Sequence, residues 1–124
     1  MLKTKTLIYV IHDHTSSHHH YDLRLEKDGV LKSWAIPKEP PEKKGEKRLA
    51  IAVEDHPLGY EKFEGRIPEG NYGAGYVAIW DSGTYEIIEE TKDKLLIYIH
   101  GKKLKGIYHL ISFRPPKNWL LIKS

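Results

Sequence analysis

The sequence predicts an all-β domain, mainly antiparallel, folded as a barrel or a sandwich. Three observations predict it. Helical periodicity is almost absent. Short apolar or alternating runs rich in Val, Ile, Leu and Tyr recur along the chain. Gly, Pro and Asp bound those runs at regular spacing, as turns between strands require. At 124 residues the chain suits one domain, residues 1–124, and shows no internal repeat and no linker.

Expected strands, in order, are 6–11, 21–27, 30–36, 48–54, 76–81, 84–90, 94–100 and 106–114, with 119–122 as a closing strand. In 21–27, Tyr21, Leu23 and Leu25 share the face toward a core, because side chains alternate. In 48–54 the apolar face is Leu49, Ile51 and Val53, with Glu54 on the other side. Lys27-Asp28-Gly29 and Asp81-Ser82-Gly83 carry the Asp and Gly of hairpin turns. Residues 101–105 form a basic turn of the same kind. Residues 37–47, rich in Pro, Glu and Lys, are expected to be a mobile surface loop. Residues 57–75 are too long for an idle turn and are expected to be ordered.

Composition excludes several chemistries. There is no cysteine, hence no disulfide, thiolate metal site or cysteine nucleophile. That fits a reducing compartment. No apolar run approaches the roughly 20 residues that span a bilayer, and residues 1–9 lack the apolar core of a signal peptide. A soluble, intracellular (cytoplasmic) protein with no membrane partner is expected. The formal charge of +3 permits an anionic partner without requiring one.

Histidine is where the chemistry concentrates. Of eight histidines, five (His12, His14, His18, His19 and His20) fall within nine positions. On the strand 21–27, His20, Asp22, Arg24 and Glu26 share the face opposite the core. A solvated sheet surface is the plain alternative. Two residues apart, His20 and Asp22 suit ligation of one divalent ion. Arg24 beside them offers a planar fork for phosphate oxygens. A loop through Thr15, Ser16 and Ser17 would let His14 return as a third ligand, leaving coordination positions open. His18 and His19 read as loop residues or as outer partners of the ligands. Glu54, His56 and Tyr60 gather near a strand end and are site candidates, although each type is more often structural. The glycines of 69–75 lack the lysine, serine and following helix of a phosphate loop, so close backbone packing is their expected use. His100 and His109 are expected to be structural.

Taken together, His14-x5-His20-Tyr21-Asp22-x-Arg24-Leu25-Glu26, Asp28-Gly29-Val30-Leu31-x-Ser33-Trp34-Ala35-x-Pro37-Lys38, Val53-Glu54-Asp55-His56-Pro57-Leu58-x-Tyr60, Phe63-Glu64-Gly65-x-Ile67-Pro68, Tyr72-Gly73-Ala74-Gly75 and Trp80-Asp81-x-Gly83 resemble the 3′-phosphoesterase module of bacterial DNA ligase D and its stand-alone archaeal relatives. The resemblance implies a compact β-barrel of about eight strands with long active-site loops and little helix. It implies a divalent metal, Mn²⁺ foremost with Zn²⁺ or Co²⁺ as substitutes, held by His14, His20 and Asp22. It implies phosphate contacts from Arg24, His56 and Tyr60, and contributions from Glu54, Lys38 and Arg48 to the site or the substrate grip. The implied activity removes a 3′-phosphate, and also a 3′-terminal ribonucleotide, from a DNA or RNA/DNA primer–template end. In that activity the metal and Arg24 would offset phosphate charge, and His56 would hydrogen-bond the phosphate or protonate the leaving oxygen.

This chain departs from the pattern in two ways. Relatives within the ligase often carry a polar residue such as Gln where this chain has His12. They also have a longer N-terminal arm that aids ribonucleotide removal, whereas thirteen residues precede His14 here. Phosphate removal is therefore expected ahead of ribonucleotide resection. With no ligase or polymerase domain in the chain, partnership with ligase, polymerase and end-binding repair proteins is expected in trans. Two other classes compete. One is a cupin-like non-haem Fe(II) oxygenase, in which His100 or His109 would complete the ligand set. The other is a non-catalytic DNA-end-binding barrel using Lys92, Lys94, Lys102, Lys103 and Lys105.

Overall fold

The computed structural model describes residues 6–71 and 74–124. Its strands are β1 (Leu7–Thr15), β2 (His20–Lys27), β3 (Val30–Ile36), β4 (Lys47–Pro57), β5 (Gly65–Ile67), β6 (Gly75–Glu90), β7 (Lys94–His100), β8 (Lys105–Arg114) and β9 (Asn118–Lys123), with a 3-10 turn at Tyr60–Lys62. All pairings are antiparallel. The order β1-β2-β3-β4-β9-β8-β7-β6 closes through pairing of β6 with β1, giving an eight-stranded barrel. β5 lies outside that circuit, on the first residues of β6. No helix among the described residues is long and apolar enough to cross a membrane.

Alternation fills the interior. Leu7, Tyr9 and Ile11 of β1, Leu23 and Leu25 of β2 and Trp34 and Ile36 of β3 point inward to meet Ile97, Ile99, Tyr108, Leu110 and Leu121. The other parity of β1 and β2 carries His12, His14, Asp22 and Arg24. These side chains are on the outside of the barrel wall, yet they are buried. Tyr60 of the 3-10 turn packs against His12 and Arg24 from the segment that follows β4.

The β2–β3 hairpin turns on two residues, Asp28 (φ 55°) and Gly29 (φ 80°), as expected of Asp-Gly between alternating strands. Asp81-Ser82-Gly83 is not a turn. The expected strands 76–81 and 84–90 are one continuous strand, β6. The Asp81 carboxylate is buried and accepts from Tyr9 Oη (2.8 Å) and from the backbone N–H groups of Lys102 (2.8 Å), Lys103 (3.0 Å) and Leu104 (2.9 Å). It thereby caps the β7–β8 turn. A Cβ at Gly83 would run into the His100 carbonyl, so this glycine serves close strand approach.

Two other expectations change. On β4 the core residue is Ala50, while Leu49 is exposed. The cause is volume: Ala50 and Ala52 stand opposite Trp119 and Trp34, and the two indoles occupy the interior that larger β4 side chains would need. The segment 37–47, expected to be mobile, is tied down, its last residue already in β4. Pro40 and Pro41 are buried, Tyr108 Oη donates to the Pro41 carbonyl (2.7 Å), and Gly45 N–H donates to the Lys123 carbonyl (2.8 Å).

Candidate active site

β1 runs on to Thr15, so His14 is a strand residue and not one returned by a loop. Antiparallel register sets His14 directly opposite His20, and His12 opposite Asp22. All four share the outer face. Cross-strand neighbours on one face approach within about 5 Å at Cβ, and the two imidazoles of His14 and His20 lie 4.7 Å apart. Asp22 Oδ2 is 3.5 Å from His14 Nδ1, 3.3 Å from His20 Nε2 and 3.4 Å from Arg24 Nη2. One ligand atom from each of His14, His20 and Asp22 falls within 4.8 Å of the others. His20 Nδ1 donates to the His18 carbonyl (2.9 Å), which orients the ring and leaves Nε2 toward Asp22. His14 Nε2 is buried with no hydrogen-bond partner among the described residues.

Arg24 is held on several sides. Its Nε donates to His12 Nδ1 (3.1 Å) and its Nη1 to Ser33 Oγ (2.8 Å). The same Nη1 lies 3.1 Å from His56 Nδ1, and the guanidinium sits 5.0 Å from the Tyr60 ring centre. His56 Nδ1 is also 3.1 Å from the Glu54 carbonyl. One nitrogen cannot serve both, so it either accepts from Arg24 or donates to Glu54.

A bulge brings His56 here. Leu31 pairs with His56 and Ser33 with Val53, so Glu54 and Asp55 together face Lys32. The extra residue restores His56 to the face of Val53. Tyr60 then packs on His56 (4.6 Å), on His12 edge-on (5.4 Å) and on Phe63 (5.2 Å, stacked). At the other rim, a Cβ on Gly75 (φ 132°) would strike the Thr15 carbonyl, so only glycine lets β6 start this close to the β1–β2 turn. Tyr72 and Gly73 of the same motif lie outside the described residues. The resulting pocket, about 430 Å³, is lined by His14, Ser16, Ser17, His20, Asp22, Arg24, Ala35, Val53, His56, Tyr60, Ile67 and Ala74.

The charges are mutually tuned. Burial alone would raise the Asp22 carboxyl, but the His20 hydrogen bond and the Arg24 charge outweigh it and hold Asp22 below its ordinary value. The bond to Asp22 raises His20. Burial first, and Arg24 second, lower His12 to about 4. The same two causes lower His56. Burial raises Tyr60.

Six of the expected site residues therefore meet: His14, His20, Asp22, Arg24, His56 and Tyr60. Three do not line the pocket. Glu54 is exposed in the bulge and Lys38 is exposed after β3. Arg48 braces the 37–46 segment, its Nε donating to the Glu39 carbonyl (2.6 Å). His100 pairs instead with Glu86 (2.6 Å) across β6 and β7, and His109 lies on β8, so neither completes the ligand set that an oxygenase reading requires. Sequence reasoning missed Ser33. A polar residue within the apolar run of β3 was the available signal.

The family model of the DNA ligase D 3′-phosphoesterase domain matches residues 12–112. The multifunctional non-homologous end joining protein LigD of Mycolicibacterium smegmatis is 46% identical over 123 residues, covering 90% of this chain and 16% of that protein. Its namesake from Pseudomonas aeruginosa is 44% identical over 129 residues, covering 98% of this chain and 15% of that protein. The DNA repair protein LigD of Mycobacterium tuberculosis is 50% identical over 107 residues, 83% of this chain and 14% of that protein.

Proposed function

This chain belongs to the DNA ligase D 3′-phosphoesterase domain family, and from that premise we propose that it is a metal-dependent hydrolase that removes the 3′-phosphate from a DNA primer–template end and leaves a 3′-OH. It spans about a sixth or less of each relative named above, so this reading concerns the domain alone. The observation that carries it is one pocket holding a three-residue donor set, a fixed guanidinium and a second imidazole.

The donors fit a divalent cation. His14 and His20 nitrogens stand 3.5 and 3.3 Å from one carboxylate oxygen, close to the ~3 Å spacing of neighbouring ligands bound at about 2.1 Å. His14 and Asp22 are both buried, so the His14 Nδ1 and the Asp22 carboxylate face one another away from solvent, where an ion would complete them. Two imidazoles and a carboxylate suit Mn²⁺, our choice, with Zn²⁺ or Co²⁺ in its place. When bound, such an ion supplies positive charge that offsets the phosphoryl oxygens and acidifies water.

The chain's own residues do the rest. Arg24, clamped by His12 and Ser33, would present its charge to phosphate without reorganising. His56 starts neutral. A phosphate beside it raises its proton affinity, which suits it to grip the phosphate and carry a proton toward the leaving 3′-oxygen. Tyr60 positions both by packing on them. Removal of a 3′-terminal ribonucleotide is a secondary activity in this reading. A DNA or RNA/DNA 3′ end is the substrate, ligase, polymerase and end-binding proteins are partners in trans, and the setting is intracellular.

The test is a 3′-phosphate primer–template incubated with and without Mn²⁺, with the products sized. His20→Ala and Asp22→Ala should each lose release by more than about 100-fold while the protein still binds DNA. Full activity in either variant would sink the donor set, and DNA binding without turnover in the parent protein would favour the non-catalytic barrel.

A further inference from the structure

A second cavity, about 270 Å³, opens at the opposite end of the barrel. β2 connects the two, with His20 in the first pocket and Lys27 in the second. Seven residues of strand separate them by about 23 Å at roughly 3.3 Å each. The inward row Leu23–Leu25 of β2 ends in Lys27, and the inward row Ile36–Trp34 of β3 ends in Lys32. Lys92 of the β6–β7 turn and Lys94 at the start of β7 add two more ammonium groups, and Trp34 and Trp119 form the apolar wall.

The charges are not balanced. Glu90 (2.6 Å) and Asp28 (3.1 Å) hold Lys27, and Asp55 (3.1 Å) holds Lys32. Lys92 and Lys94 have no acidic partner within ion-pair reach among the described residues. Trp34 is 7% exposed, and the Nε1–H groups of Trp34 and Trp119 are buried within the wall, without a hydrogen-bond partner among the described residues, so the indoles offer the cavity aromatic surface and no donor. Two ammonium groups without an acidic partner among the described residues, beside that aromatic surface, suit an anion with many acceptor oxygens.

We propose that this barrel mouth binds the phosphate group of a nucleotide or of a nucleic-acid backbone, separately from the His14–Arg24 site. The two indoles report on it directly. They pack edge-to-face at 5.9 Å, and the third tryptophan, Trp80, packs elsewhere against Tyr21 and Lys103. A Trp80→Phe protein therefore emits from the mouth alone.

That protein is titrated at low salt with pyrophosphate, deoxyadenosine monophosphate and a duplex ending in 3′-OH. A saturable change in emission with at least one probe is expected. Lys92→Ala/Lys94→Ala should weaken it about tenfold, and His20→Ala should leave it intact. Lys92→Glu, at an exposed position, should weaken it without burdening the fold. Response to the small probes assigns a free nucleotide, and response to the duplex alone assigns the backbone. No saturable change with any probe, indifference to the lysine substitutions, or loss in His20→Ala would each overturn the proposal.

Discussion

At His12 a fully buried imidazole accepts from Arg24 and stays neutral, with its pKa lowered to about 4. The unfolded chain keeps the ordinary value of 6.5. Between those two values the unfolded state holds the extra proton, so stability from this residue is complete above pH 6.5 and falls as pH drops toward 4. From pH 7 to 5 the loss is about 2 kcal/mol. His20, raised by Asp22, acts in the opposite sense, and comparison with His12→Gln separates the two. The variant keeps an acceptor for Arg24 and should lose about 2 kcal/mol less over that interval, read from urea midpoints at pH 7 and pH 5. Equal losses would mean that His12 is not the neutral clamp. Arg24→Lys should keep the charge, lose the fork to His12 and Ser33, and lower phosphate release by at least about 100-fold at unchanged fold. The meeting of His20 and Asp22 was legible because strand parity puts both on one face, whereas His14 was expected back through a loop and is instead held on β1 opposite His20. His12 and Ser33 as clamps were not, since each acts across a strand boundary and register is invisible in one sequence.

Asp81 shows how an element is misread. Asp followed closely by Gly is a turn signal, and at Asp28-Gly29 it marks a turn. In β6 the same letters serve a partner some 20 residues on: Asp81 caps the β7–β8 turn and Gly83 makes room for the His100 carbonyl. A local window sees the residues and not the backbone they serve. Asp81→Ala would strand three backbone N–H groups and the Tyr9 hydroxyl, and should cost about 3–5 kcal/mol. Asp81→Asn, which keeps an acceptor, should cost less. Calorimetry or urea unfolding measures both. β4 was misread for a related reason: its apolar letters are real, but Trp34 and Trp119 leave only alanine-sized space inside.

Closure of the barrel depends on β1 pairing with β6, which joins Leu7 to Tyr85. Residue patterns left barrel and sandwich open because no local feature reports a pairing of that range. The strand count and the antiparallel pattern were legible all the same. If His14, His20 and Asp22 share one ion, binding should stabilise the whole domain, because both ligand-bearing strands belong to the barrel wall. Mn²⁺ at 100 times its Kd should add about 3 kcal/mol, seen as a rise in Tm that chelation reverses and that Asp22→Ala lacks. An unchanged Tm in the parent protein would speak against the shared site. The buried donor set lies on the outside of that wall, in the pocket that Tyr60 also lines, and not within the lumen. On the proposed function, a nucleic acid of any length would therefore meet it side-on, with no end to thread and no channel to clear before the next one arrives.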